Sequence, residues 1–200
     1  MDKFENILKK IESVGYYGEI FLKYSDELNA FSKTNSFINN LEEKLNRAII
    51  ENNIKRFDFI AFLLASIGNN SIDYQSIYFL MIDFILDTFA KNNTTEFEND
   101  EILAVVLDLF WHQDNALRNL NRLQQIKFNL FLKLVANYKY EISKDGDEIF
   151  FAINKSIDLI RFQKTYGDTK SLSNLYINHF DEKIRQTATE KIIKTGYNTG

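Results

Sequence analysis

Leu172-Ser-Asn-Leu-Tyr-Ile-Asn-His-Phe-Asp-Glu-Lys-Ile-Arg-Gln-Thr-Ala-Thr-Glu-Lys-Ile-Ile-Lys194 reads as two short helices that meet at a corner. The first covers 172–179. The second covers 182–194, where Ile184, Ala188 and Ile192 recur every four residues, the stripe of a helix with one face toward a core. The corner between them, His179-Phe-Asp-Glu-Lys-Ile-Arg185, has a near copy upstream in His112-Gln-Asp-Asn-Ala-Leu-Arg118, and these copies hold the only two histidines of the chain. In each, the aspartate is placed to cap the next helix by accepting from its free N–H groups. A cationic imidazole in the last turn of the preceding helix suits the negative end of that helix dipole. The arginine, four residues after the aspartate, can reach back to its carboxylate. His112, Asp114, Arg118, His179, Asp181 and Arg185 are therefore expected to build structural corners.

The same periodicity extends through the chain. Phe4, Ile7, Leu8, Ile11 and Val14 fall at helical spacing, then Gly15 and Gly18 punctuate, and a short helix is expected over 19–31. Phe37, Ile38, Leu41, Leu45, Ala48 and Ile49 mark a helix over 35–51, which Asn52-Asn53 breaks. A strongly apolar helix follows over 54–67, closed by Gly68-Asn69-Asn70. The next, over 71–90, is apolar around most of its circumference, with one polar strip of Ser76, Asp83 and Asp87. Further helices are expected from residue 99, over 115–140 and from 149 to about 166, with a turn at Lys144-Asp-Gly-Asp147 and a loose tail over 195–200. No segment alternates with the period of a strand. The expectation is all-α: a single domain spanning residues 1–200, built from about 8–10 antiparallel helices in a HEAT-like stack or an irregular bundle.

Composition agrees. Among 200 residues there is no proline and no cysteine, hydrophobic residues make up 45%, and 18 Phe and 10 Tyr supply core material. A chain without proline can run helix after helix. The lack of cysteine excludes disulfides, zinc–thiolate sites and thiol catalysis. The N-terminus has no signal-peptide pattern, and the longest apolar runs fall short of the roughly 18 residues of a membrane span. A cytoplasmic protein without a membrane partner is expected. The net charge of −4 disfavours a general nucleic-acid binder.

Charge is unevenly placed. Glu96, Glu98, Asp100, Glu101, Asp108 and Asp114 fall in 92–114 with no Lys or Arg, while Arg118, Arg122, Lys127, Lys133 and Lys139 fall in 115–140 with no acid. On a helical wheel, Arg118, Arg122, Lys133 and Lys139 cluster, opposite Leu120, Leu123, Leu130, Phe131 and Leu134. Two readings follow: a phosphate-binding ridge, or a basic helix paired with the acidic one before it, which is preferred.

The corner at 172–194 resembles HEAT-type helical repeats, whose second helices often begin with Asp, an aliphatic residue and Arg. Asp181, Ile184 and Arg185 match that pattern, and residues 105–122 match it less well. The 67-residue offset of the two copies is not a multiple of the period of roughly 40–47 residues, and the proline usual in the first helix is missing. The resemblance implies stacked helix pairs with an extended binding surface.

Chemistry finds few candidates. His112, Asp108 and Asp114 could form a three-ligand metal set, but there is no third histidine, and capping is preferred. The Gly146 turn lacks the glutamate of a calcium loop, and the isolated glycines make no phosphate cradle. Asp83 and Asp87 read as a polar helix edge. No catalytic residue, cofactor or metal is expected. The expectation is a non-enzymatic protein-binding protein, of inhibitor or immunity type, that meets a basic partner through Glu96, Glu98, Asp100, Glu101, Trp111 and Asp114. The alternative is a nucleic-acid-binding enzyme similar to HEAT-like alkylpurine DNA glycosylases, with Arg118, Arg122, Lys133 and Lys139 on phosphates. A helical transcription regulator is disfavoured, because residues 1–50 carry no basic cluster.

Overall fold

The computed structural model describes residues 3–14, 23, 24, 27, 30, 34–67, 75–92, 103, 106, 107, 117–138, 147–160 and 169–195. These residues are all-α, with no strand among them. The helices are α1 (Lys3–Val14), α2 (Asn35–Ile50), α3 (Ile54–Ile67), α4 (Gln75–Asn92), α5 (Arg122–Asn137), α6 (Asp147–Leu159), α7 (Thr169–Ile177) and α8 (Glu182–Thr195). None is long and apolar enough to cross a membrane. The chain falls into two compact units, Met1–Tyr74 and Gln75–Gly200.

In the first unit α2 packs on α3. Phe37, Leu41, Leu45 and Ala48 form one buried row on α2 and meet Phe57, Ile60 and Leu64 of α3 in the same core. Full burial of each large side chain contributes about 1.5–3 kcal/mol. Lys44 of α2 donates to the Glu5 carboxylate of α1, and this hydrogen bond holds Glu5 below the usual carboxylate range.

The asparagine pair between α2 and α3 divides two tasks. Asn52 takes a left-handed backbone, φ 49°. Its N–H bonds the Ile49 carbonyl at 3.1 Å, and the Asn53 N–H bonds that of Ala48 at 2.8 Å. This is a Schellman closure, and asparagine accepts the left-handed position better than other non-glycine residues. Asn53 then starts α3, with its side-chain oxygen accepting from the Arg56 N–H at 3.1 Å.

In the second unit α4 packs on α5, α5 on α6 and α7, and α8 on α6 and α7. α4 buries Ile77, Tyr78, Met81, Ile82 and Ile85, and leaves Ser76 and Asp87 exposed and Asp83 half-buried, which is the strip expected from the sequence. Leu103, Val106 and Leu107 are helical and buried.

One hydroxyl joins three helices of this core. The Tyr176 hydroxyl, on α7, lies 2.7 Å from Ser156 Oγ on α6 and 3.3 Å from the Leu132 carbonyl on α5. Ser156 Oγ is also 2.6 Å from the Ile153 carbonyl. Two hydroxyl protons serve these three contacts, and the shorter links favour the chain Tyr176 to Ser156 to Ile153 carbonyl. Burial pushes the Tyr176 phenol well above its ordinary range, so it stays a neutral donor.

Candidate functional site

Only the second copy of the twin motif falls fully within the described residues. Asp181, 6% exposed, caps α8: its Oδ1 accepts from the N–H groups of Lys183 at 2.8 Å and Ile184 at 3.4 Å. The expected cap is therefore in place. The other two roles differ from expectation. His179 is 3% exposed, and its Nδ1 accepts from the Asp181 backbone N–H at 3.1 Å. An accepting Nδ1 carries no proton, and burial pushes the imidazole pKa down, so the ring is neutral instead of a cation at the helix end. Arg185 does not turn to the Asp181 carboxylate. Its Nη1 donates to the carbonyls of His179 at 2.7 Å and Phe180 at 2.8 Å. Both carbonyls lie past the end of the first helix of the corner, α7, and one guanidinium serves the two of them. Cap, imidazole and guanidinium all bond within the corner, which is a structural device.

The first copy is mostly outside the described residues: His112 and Asp114 lie there, as do Glu96, Glu98, Asp100, Glu101, Asp108, Trp111 and Lys139. Arg118 is described, and it corrects the expected continuous helix over 115–140. Leu117 lies in a single 3-10 turn, Arg118 and Asn119 form a turn, and Asn119 has φ 59°. α5 begins at Arg122 behind the cap Asn121. Asn121 Oδ1 accepts from the Gln124 N–H at 2.9 Å, and Gln124 Oε1 accepts from the Asn121 N–H at 3.0 Å, a reciprocal capping box. Gln75, at the start of α4, donates to the Arg118 carbonyl at 3.5 Å and accepts from Gln124 at 3.1 Å. Arg118 therefore lies off the helix that was to align it with Arg122 and Lys133.

α5 is also rotated from the expected setting. Its buried face is Gln125, Phe128, Asn129, Phe131, Leu132, Val135 and Ala136. Of the expected apolar arc, Leu120 and Phe131 are buried and Leu134 is half-buried, whereas Leu123 is 61% and Leu130 49% exposed; Ile126 joins them at 43%. Phe128, Phe131, Leu132 and Val135 are buried where α5 packs on α4, α6 and α7, and the amides of Gln125 and Asn129 are buried with them. Lys127 Nζ pairs with Asp83 of α4 at 2.6 Å, so this cation is spent on a cross-helix pair. Arg122 is exposed and Lys133 half-buried.

The outer face of α5 thus carries Leu123, Ile126 and Leu130 in one row, with Arg122 and Lys133 along one side of it. Among the described residues Ile50, Phe151, Phe180 and Ile193 are also exposed, and the α5 row sets three such side chains on one helical face. The sequence held the signal for where α5 begins, because Asn121-Arg-Leu-Gln124 is a capping-box pattern.

Other surfaces offer less. An open groove of about 540 Å³ is lined by Asn39, Glu42, Glu43, Asn46, Arg47 and Ile50 of α2, and Arg47 there pairs with Glu51 at 2.8 Å. Among the described residues no group of three or more His, Asp or Glu is placed to hold a metal ion. Near the corner, Lys183 lies over the Phe150 ring at 5.9 Å, joining α8 to α6. No family model, curated protein or solved structure significantly matches the chain.

Proposed function

We propose that the protein works by binding another protein, without chemistry of its own, and that α5 presents the docking face. The observation that carries this reading is the exposed row of Leu123, Ile126 and Leu130. Single exposed apolar side chains are ordinary, but three on one helical face are a recognition pattern, because a partner can remove all of them from water together. An inhibitor or immunity role, with a basic partner met by Glu96, Glu98, Asp100, Glu101, Trp111 and Asp114, belongs to the same proposal and rests on the sequence. So does the HEAT-like reading of α7 and α8 as one stacked helix pair. The phosphate-ridge alternative of Arg118, Arg122, Lys133 and Lys139 loses support at one member, since Arg118 is off the helix.

The test immobilises wild-type protein beside L123S/I126S/L130S and compares what each retains from the native host. The expected result is a partner held by wild type and lost by the triple variant, while circular dichroism and melting of the variant are unchanged. Identical retention by both proteins counts against the reading. Salt-dependent retention on DNA, lost in R122E/K133E and kept in the triple serine variant, would replace it with the nucleic-acid alternative.

A further inference from the structure

We infer that the docking face of α5 takes an acidic amphipathic helix of a partner protein; this rests on the docking reading above and names the chemistry of what docks. Leu123, Ile126 and Leu130 stand at i, i+3 and i+7, the spacing of a seam that one helix offers to another. The row runs over two turns, roughly 10 Å at 1.5 Å per residue. That shape fits a helix laid along it better than an extended strand, which needs an open sheet edge to add to.

Charge selects the partner. Arg122 and Lys133 lie about 20° apart on the wheel at 100° per residue, on the same side of the row. Among the described residues neither is held in an ion pair, in contrast to Lys127. α5 contains no acid to offset them. A second copy docking α5 on α5 would set cations against cations, so self-pairing on this face is disfavoured. A helix with Glu or Asp beside its own apolar row meets both needs, and its field speeds encounter. The row is aliphatic, with no ring on which a nucleobase could stack, so a single-stranded nucleic acid fits it poorly.

The test uses the full chain, labelled with nitrogen-15, and two synthetic helical peptides with the same Leu/Ile seam. One carries Glu and the other Lys at the flanking positions. The expected result is saturable binding of the Glu peptide that shifts the amides of Arg122–Asn137. Affinity should fall at least about tenfold in L123S/L130S, as for a central apolar anchor. It should weaken with salt, and R122E/K133E should reverse the preference toward the Lys peptide. Equal binding of both peptides at α5, or preference for the Lys peptide, overturns the acidic-partner inference and leaves the docking face standing. Self-association through α5, or shifts at α5 with single-stranded DNA alone, overturns it as well. Failure of both peptides to touch α5, together with unchanged partner retention by the triple serine variant, overturns the inference and the docking reading together.

Discussion

Removing the Tyr176 hydroxyl tests how the second unit is tied together. In Tyr176→Phe the ring stays and no cavity opens. Ser156 keeps its 2.6 Å bond to the Ile153 carbonyl, so no donor is stranded. The loss is the 2.7 Å link to Ser156 and the longer 3.3 Å contact to the Leu132 carbonyl. A net hydrogen bond is worth about 0.5–1.5 kcal/mol, so about 1 kcal/mol should go. Ser156→Ala should cost a similar amount, because it removes the same link and leaves Tyr176 only the longer contact. The double variant loses the shared bond once, so its cost should fall short of the sum by about 1 kcal/mol. Tyr176→Ala, which also opens a cavity, should cost about 3–5 kcal/mol. Urea unfolding followed by circular dichroism reads these values as midpoint shifts; with slopes of about 1–3 kcal/mol per molar, 1 kcal/mol is a shift of about 0.3–1 M. A double-variant cost equal to the sum of the singles would refute the shared bond. A Tyr176→Phe cost as large as that of Tyr176→Ala would refute the claim that packing outweighs the hydroxyl there.

The other predictions concern the corner and the cross-helix pair. Asp181→Ala should lower stability by about 1–2 kcal/mol, the cost of a lost cap at a buried site, while Asp181→Asn should retain most of it; thermal melts distinguish them. His179 is neutral in the fold, with its pKa pushed below the ordinary value by burial. The unfolded chain therefore binds the extra proton more readily, and the contribution present above about pH 6.5 should be lost as pH falls below it. Comparing urea midpoints at pH 7 and pH 5 should show a drop in wild type that His179→Gln lacks; equal drops would be evidence against a neutral buried ring. Lys127→Ala should change stability by less than about 1 kcal/mol, because both partners of the Asp83 pair remain partly exposed and solvent screens them. A loss of several kcal/mol on melting would mean the pair is far less solvated than its geometry indicates.

The helices were largely legible in the sequence because core burial writes its period directly. The expected span 54–67 coincides with α3, and 35–51 differs from α2 only by its cap residue. Asn52-Asn53 was legible as a break, though not as a stop and a start by separate residues. Over 115–140 hydrophobicity alone does not identify the inner face. α5 has two apolar rows, and the one chosen by the fold contains Phe128 and Phe131 together with the amides of Gln125 and Asn129. Which row wins depends on the surfaces of α4, α6 and α7, and no local pattern carries that. At the corner, residue types were informative and partners were not: Asp181 caps as expected, while Arg185 prefers carbonyls and His179 accepts instead of carrying charge.

The three residues Glu51, Asn52 and Asn53 that separate α2 from α3 also bear on how quickly the chain organises itself. Loop-closure entropy for so short a connection is small, and the pairing it permits joins residues close in sequence. Leu45 and Ala48 need search only a short length of chain to find Phe57 and Ile60. This hairpin should therefore assemble early in folding, so that truncations at Leu45 or Phe57 slow refolding more than they speed unfolding.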